Sequence, residues 1–229
     1  MESKRNRMTS TPDELTATRD GLHQVAEHVL AAAQFAQTGD IRLAYTPGGF
    51  TTYAELRDQR RVMVIADKLV VVDPVGRRSA PLRTVRQAAD FLGIAAGLPP
   101  SAYSPATPLQ PDARLAIDPA TATTLAQWYG LADAALRAFT EELGAGVARP
   151  TLWPEHFDLG ITIDSVNYGA SPGDQHVSEP YLYVGPHGGP PSRDDFWNAE
   201  FGAVVTIADV RSADDAVTFF RRGRSRVAT

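Results

Sequence analysis

The sequence predicts an α+β protein made of two similar halves, each with a mostly antiparallel sheet flanked by helices. Three observations predict this fold class. Apolar residues recur at helical spacing directly after residues that cap helices. Between these predicted helices, short runs alternate apolar and polar residues, as strands do. The order of elements also repeats: a long helix, strands and a short helix occur on each side of a segment rich in proline, serine and alanine.

The first half begins with a capped helix. Thr11, followed by proline and then Glu14, has the pattern of a capping box with proline in the first turn, and Gly39 is placed to end the helix. On this helix His23 and Glu27 lie one turn apart and could pair on one face. We expect that pair at a solvated or interfacial position.

Strands and a short helix follow. Residues 41–45 alternate as a strand does, and residues 46–50 have the composition of a plain turn. The clearest hairpin spans residues 61–73, with its turn at Asp67-Lys68, and the proline and glycine just after it end the hairpin. A second capping pattern at Thr84 begins a short helix.

The second half repeats this plan. Asp118 before a proline begins a long helix that Gly144 ends, and strands return after Thr151. Further strands are expected at residues 181–184 and 203–208, before a last helix capped by a serine. The predicted boundaries are a flexible tail at 1–10, a first half at 11–97, a linker at 98–117 and a second half at 118–229, within one globular unit.

The repeated order has two interpretations. Residues 16–18 and 121–123 share the letters Thr-Ala-Thr, and the glycines that end the two long helices align with them without a gap. An ancestral duplication explains these matches, and so does chance, because the shared letters are few. If the halves are duplicates, the second half is longer than the first around residues 167–199. We would then expect this added polar segment to determine which ligand or partner the protein recognises.

Composition excludes several classes of function. The chain has 229 residues, a hydrophobic fraction of 43% and a net charge of −5, so we expect neither nucleic acid nor a membrane as partner. It has no cysteine, which excludes disulfides and thiolate metal sites. The N-terminus lacks the apolar core of a signal peptide, so the expected location is cytoplasmic. No motif indicates a cofactor, and the sequence leaves the oligomeric state open.

The stretch 151–185 concentrates the residue types from which sites are built. Alternation through residues 157–163 predicts a strand with Phe157, Leu159 and Ile161 facing the core and His156 and Asp158 on the other face. A carboxylate beside a histidine can orient its ring for general-base catalysis, so His156 and Asp158 form the candidate catalytic pair. The alternative is that Asp158 only accepts a structural hydrogen bond.

The same stretch supplies a candidate binding site. Residues 167–174 predict a polar loop with two glycines, able to wrap a ligand or to form an ordered surface loop. The predicted ligand-binding residues combine aromatic rings with carboxylates and an amide: Trp153, Glu155, Asn167, Tyr168, Asp174, Tyr181 and Tyr183. The spacing of His156, His176, Glu179 and His187 matches no metal-binding motif, so we predict no metal site.

Several strings in this chain resemble a family of uncharacterised actinobacterial proteins. They are TLWPEHFDLGITI, VNYGASPGD, EPYLYVGPH, HQVAEHVLAAAQ, TPGGF and FWNAEFGA. The resemblance covers nearly the whole chain after the tail, and W-P-E-H-F-D and N-Y-G-x-S-P-G-D are its most distinctive motifs. No activity is assigned to that family, so the resemblance implies a bacterial cytoplasmic setting and no mechanism.

Three functions therefore stay open at the level of sequence. The first is non-catalytic binding of a small polar or aromatic molecule in a pocket formed by residues 151–199. The second is an enzyme, a hydrolase or isomerase, with His156 as general base, Asp158 orienting it, and Asn167 or Tyr168 polarising the substrate. The third is an interaction module without a small-molecule site.

Overall fold

The structure, a computed structural model, describes residues 10–144 and 149–227. The helices are α1 (Pro12–Val25), a π-helical segment (Ala26–Ala31), α2 (Ala32–Thr38), α3 (Val85–Leu92), α4 (Pro119–Glu142) and α5 (Ala213–Val227). The strands are β1 (Leu43–Thr46), β2 (Gly49–Thr52), β3 (Arg61–Ile65), β4 (Lys68–Asp73), β5 (Gly76–Pro81), β6 (Thr151–Trp153), β7 (Asp158–Ile163), β8 (Val166–Ser171), β9 (Tyr181–Pro186) and β10 (Ala203–Thr206). Every strand pairing is antiparallel, so the α+β class is confirmed.

The chain order also has the predicted form. A helical stretch, five strands and a helix occur twice, first as α1 to α3 and then as α4 to α5. The duplication itself stays a prediction, as do the predicted domain boundaries. The predicted tail lies outside the described residues except for Ser10, whose hydroxyl oxygen lies 2.6 Å from that of Thr121.

The first predicted helix has both of its predicted ends. The Thr11 hydroxyl accepts a hydrogen bond from the amide of Glu14 while the Glu14 carboxylate accepts one from the amide of Thr11, and Gly39 closes α2 with a positive φ of 72°. The middle of the helix differs from the expectation of a regular α-helix, because Ala26–Ala31 form a π-helical segment. A π-helical turn is wider than an α-helical turn, and such segments often occur at functional sites.

The described chain divides into two compact units. The N-terminal unit contains Ser10–Gln127 and Thr151–Phe157, and the described residues of the C-terminal unit lie within Trp128–Pro150 and Asp158–Thr229. The division therefore falls within α4 and again just before β7.

Six strands of the N-terminal unit pair in the order β6-β1-β2-β3-β4-β5. Thr46 pairs with Gly49, so the plain turn expected within residues 46–50 is the two-residue turn Pro47-Gly48. The β3–β4 hairpin is present, but its turn is Ala66-Asp67, because Lys68 already pairs with Ile65. The proline and glycine predicted to end this hairpin, Pro74 and Gly76, instead lie at a turn into a further strand, β5. Strand β5 is exposed and polar, so its sequence lacks the apolar alternation that predicts a strand.

Four strands of the C-terminal unit pair in the order β10-β9-β8-β7. Two predictions are corrected here. Strand β7 begins at Asp158, and Phe157 has a φ of 52°, so the period of two does not extend back to His156. Residues 167–171, the first part of the loop predicted at 167–174, belong to strand β8, which is paired on both sides. This strand follows a turn in which Asp164 and Ser165 have φ of 50° and 62°.

One sheet face of the C-terminal unit packs against helices. Tyr168 is fully buried, with its ring centroid 5.0 Å from Phe139 of α4 and 6.0 Å from Phe220 of α5. Val184 lies so close to Gly223 of α5 that a Cβ there would be 2.7 Å from it. None of the described helices is long and apolar enough to cross a membrane.

Candidate functional site

The predicted site residues fall in both compact units. Trp153, Glu155 and His156 belong to the N-terminal unit, and Asp158, Asn167, Tyr168, Asp174, Tyr181 and Tyr183 belong to the C-terminal unit. Each group is therefore described within its own unit.

In the C-terminal unit, the sheet face opposite Tyr168 carries most of the predicted binding residues. The register pairs Gly160 with Gly169 and Gly169 with Tyr183, so these three residues form one row across β7, β8 and β9. Asn167 pairs with Gly185 in the next row of the same face. Tyr168 points to the opposite face and is part of the core, which removes it from any solvent-accessible binding surface.

Tyr183 lies across this face and is held by Asp158. Its hydroxyl donates a hydrogen bond to the Asp158 carboxylate. An added Cβ would be 2.5 Å from the Tyr183 hydroxyl oxygen at Gly169 and 2.9 Å from it at Gly160, so the two glycines make room for the phenol. Burial, the charge of Asp158 and this hydrogen bond raise the pKa of Tyr183. The single hydroxyl proton of Tyr183 is donated to Asp158, so the pair fixes a neutral tyrosine ring in place.

Asp174 and Tyr181 form a second tyrosine–carboxylate pair. The Tyr181 hydroxyl donates to Asp174 Oδ2 at 2.6 Å, and the amides of His176 and Val177 donate to Oδ1 at 2.7 and 2.9 Å. Burial opposes ionisation of Asp174, but these hydrogen bonds outweigh it and lower the pKa of the carboxyl. Burial, together with the hydrogen bond to Asp174, raises the pKa of Tyr181. Asp174 therefore stabilises the loop to which it belongs, because its carboxylate binds two backbone amides of that loop.

Asn167 belongs to an exposed set of polar side chains. Its Oδ1 accepts a hydrogen bond from the Thr162 hydroxyl at 2.7 Å and lies 3.1 Å from Nε2 of His187. The sequence did not indicate Thr162 or His187 as partners of Asn167. The Nδ2 amide of Asn167 has no hydrogen-bond partner in the described part of the chain, so both of its N–H groups are available to a ligand.

Beside Asn167 the sheet face is open, and an aromatic ring borders the opening. At Gly185 the nearest atoms to an added Cβ would be the backbone oxygen of Phe201 at 3.5 Å and its Cδ2 at 4.0 Å. Phe201 is 39% exposed and stands edge-on to Tyr183, with ring centroids 6.5 Å apart. We call Asn167, Tyr183, Gly185 and Phe201 the aromatic shelf.

Sequence reasoning did not find Phe201 or Gly185 as site residues. The signal was present in β9, where Tyr181, Tyr183 and Gly185 alternate and therefore share a face. A glycine in that series leaves a gap beside two aromatic rings. Phe196 and Trp197, which lie in the segment 167–199, are both buried.

The predicted residues of the N-terminal unit lie around one turn. Trp153 ends β6 and is 36% exposed, and His156 is exposed in the turn that follows. The turn is held from α1 by His23, whose Nε2 lies 2.7 Å from the carbonyl oxygen of Pro154 and whose ring stacks on Phe157 at 5.2 Å. Burial lowers the pKa of His23, and the charge of Glu27 only partly offsets this.

Glu27, in the π-helical segment, is fully buried and not solvated as the sequence suggested. Its Oε2 lies 3.8 Å from His23 Nε2, so the predicted pairing is present. Its carboxylate also accepts hydrogen bonds from the Tyr103 hydroxyl and the Ala106 amide at 2.9 Å each, and from the amide and hydroxyl of Thr107 at 2.7 and 2.5 Å. Glu27 therefore holds the segment 103–107 on the helix.

The buried carboxylate of Glu27 affects the ionisation of Tyr103. Burial raises the pKa of Tyr103, with the charge and hydrogen bond of Glu27 adding to the effect and the charge of Glu155 contributing a smaller part. Glu155 is partly buried in the turn after β6. His28 Nε2 lies 3.0 Å from the carbonyl oxygen of Thr107, which ties the same segment to the helix a second time.

Metal binding finds no support in this geometry. Across residues 10–144 and 149–227, no group of three or more histidine, aspartate or glutamate side chains is arranged to hold a metal ion. No protein-family model, no curated protein and no solved structure matches the chain.

Proposed function

We propose that this protein binds a small molecule containing a sugar or planar ring at the aromatic shelf, without catalysing a reaction. One observation carries the proposal. The exposed ring of Phe201 stands against Tyr183 on one side of the gap at Gly185, and the spare amide of Asn167 stands on the other.

The chemistry of the shelf suits such a ring. Phe201 and Tyr183 offer apolar ring surface, and an exposed aromatic side chain gains most when a flat ligand covers it. Asn167 Nδ2 offers two donors, and the exposed Thr162 and His187 beside it add polar groups for ligand hydroxyls. Sites for small molecules commonly combine apolar walls with a few placed polar groups in this way.

The geometry favours binding over catalysis. The Asp158 carboxylate accepts the hydroxyl proton of Tyr183, so it fixes an aromatic wall of the shelf. Tyr183, with a raised pKa, stays neutral and is a poor general base. The His156/Asp158 enzyme and the interaction module remain alternatives that a binding experiment separates.

The proposal is tested by saturation-transfer NMR with four neutral ring compounds: glucose, N-acetylglucosamine, adenosine and indole. We expect saturation transfer to at least one of them. Phe201→Ala and Asn167→Ala should each weaken its binding about tenfold, since a lost ring contact or amide hydrogen bond is worth roughly 1–1.5 kcal/mol.

Leu109→Ala is the matched control, because Leu109 is an exposed apolar side chain (43%) of the N-terminal unit. It should leave binding unchanged. The proposal would be contradicted if Phe201→Ala, Asn167→Ala and Leu109→Ala all bound the compound equally well. Turnover of a bound compound by the wild-type protein would also contradict it.

A further inference from the structure

A second candidate binding site lies on the helical side of the C-terminal unit. A hollow of about 320 Å³ opens between the end of α4 and the last turns of α5. It is lined by Phe139, Glu142, Leu143, Arg221, Arg224 and Ser225. None of these residues belongs to the aromatic shelf, so the inference below is independent of the proposed function.

The inner wall of the hollow is apolar and closely packed. Phe139 is buried, and its ring packs against Tyr168 at 5.0 Å and Phe220 at 5.8 Å. Leu143 also lines the hollow and is 37% exposed. A ligand that covers Leu143 and touches Phe139 would remove apolar surface from water.

Two arginines border this apolar wall. Arg221 donates to both carboxylate oxygens of Glu142, from Nε at 2.7 Å and from Nη2. Arg224 donates from Nη2 to Asp164 at 3.0 Å and also hydrogen-bonds the Tyr168 hydroxyl. A guanidinium has five N–H donors, so both arginines keep donors for a further acceptor. For Arg221, Nη1 has no protein partner in the described ranges.

We propose that this hollow binds a small organic carboxylate with an apolar or aromatic body. Planar guanidinium groups recognise carboxylates through paired hydrogen bonds, and two of them stand beside one apolar wall here. Glu142 and Asp164 each occupy only part of one guanidinium. Exposed arginine–carboxylate pairs are weak, so a ligand carboxylate can bind the remaining N–H donors. The volume is at the lower end of the range for ligand pockets, which favours a single ring or a short chain.

The test is a titration of ¹⁵N-labelled protein with phenylacetate, followed by amide chemical shifts. We expect saturable shifts at residues around Leu143 and Arg221. Phenylacetamide, which has the same shape and no charge, should bind at least tenfold more weakly to the wild-type protein. Arg221→Gln and Arg224→Gln should each weaken phenylacetate binding at least fivefold.

Arg86→Gln is the matched control, because Arg86 forms a similar exposed two-pronged pair with Asp112 in the N-terminal unit. It should leave phenylacetate binding unchanged. Absence of saturable shifts, equal binding of phenylacetamide, or equal losses in Arg86→Gln and Arg221→Gln would overturn the proposal. The comparison of the two compounds uses wild-type protein, so it stays decisive if a variant folds poorly.

Discussion

At the scale of single residues, the tyrosines of β9 are fixed by carboxylates that lie outside their own strand. Tyr183 reaches Asp158 across Gly169 and Gly160, and Tyr181 reaches Asp174. The sequence identified these tyrosines and aspartates as site residues. It could not show that Tyr183 binds Asp158, because that contact depends on the register of β7, β8 and β9.

Gly169 is required by packing. A methyl group there would lie 2.5 Å from the Tyr183 hydroxyl oxygen and 2.6 Å from the backbone oxygen of Leu159. We expect Gly169→Ala to lower the free energy of unfolding by about 1–3 kcal/mol, the usual cost of overpacking. Urea denaturation monitored by tryptophan fluorescence measures this change. Gly188→Ala is the control, because no atom lies within 4 Å of its added Cβ; an equal loss there would contradict the packing account.

Asp174 gives a pH-dependent prediction. Its folded-state pKa is lowered, against the effect of burial, by hydrogen bonds from Tyr181, Val177 and His176. A carboxyl with a lowered folded pKa stabilises the fold above its unfolded pKa of about 3.9, and this stabilisation is lost as pH falls through the folded pKa. Asp174→Asn should therefore destabilise the protein by about 1–3 kcal/mol at pH 7 and by less below about pH 4.

Thermal unfolding of both proteins between pH 3 and 7 measures the difference. Asp195→Asn, at an exposed position of the same unit, should show no such dependence. A gap between wild type and Asp174→Asn that stays constant across this range would show that the charge of Asp174 contributes nothing.

At the scale of elements, the ends of helices were predictable and their interiors were not. Capping at Thr11 and the glycine at 39 are local signals, and the structure has both. The π-helical segment Ala26–Ala31 leaves no such signal, because one wide turn hardly alters the apolar periodicity of a long helix. The role of the buried Glu27 in this segment becomes evident only from the structure, in which residues 103–107 donate hydrogen bonds to it.

The link between the π-helical segment and residues 103–107 can be tested directly. Glu27→Gln replaces one carboxylate oxygen with an NH₂ group, which cannot accept a hydrogen bond. The amides of Ala106 and Thr107 bind different oxygens of Glu27, so one of the two loses its acceptor and the segment is held less tightly. We expect hydrogen exchange of these two amides to accelerate at least tenfold, because opening of a segment that has lost its partner costs less free energy. Glu55→Gln, at an exposed position of the same unit, should leave their exchange unchanged. Unchanged protection in Glu27→Gln would refute the link.

Strand β8 shows why composition misled the prediction of loops. Asn, Gly and Ser in residues 166–171 are typical of turns, yet the strand is paired on both sides. Its glycine is there because the Tyr183 phenol occupies the space of a side chain. The two-residue turn before it, Asp164-Ser165, has positive φ at both residues without a glycine and so lacks the usual hairpin signal.

At the scale of the molecule, periodicity and capping were enough to predict the α+β class and the twofold order of helix, strands and helix. The candidate site was predicted in part, because Asn167 and Tyr183 were among the predicted ligand-binding residues. Residues 151–185 do contain Asn167 and Tyr183, but Phe201 comes from the chain before β10 and reaches the shelf through the folded sheet. Contacts of this kind follow from strand pairing, which a single sequence does not specify.

The central claim is that the aromatic shelf binds a ring-containing small molecule. The most direct test is the ¹⁵N–¹H spectrum of labelled protein titrated with the panel compound that gives the strongest saturation transfer. We expect the largest shifts at the amides of Asn167, Gly185 and Phe201 in wild-type protein and their loss in Phe201→Ala. Shifts confined to other residues, or a spectrum that none of the four compounds changes, would contradict the claim.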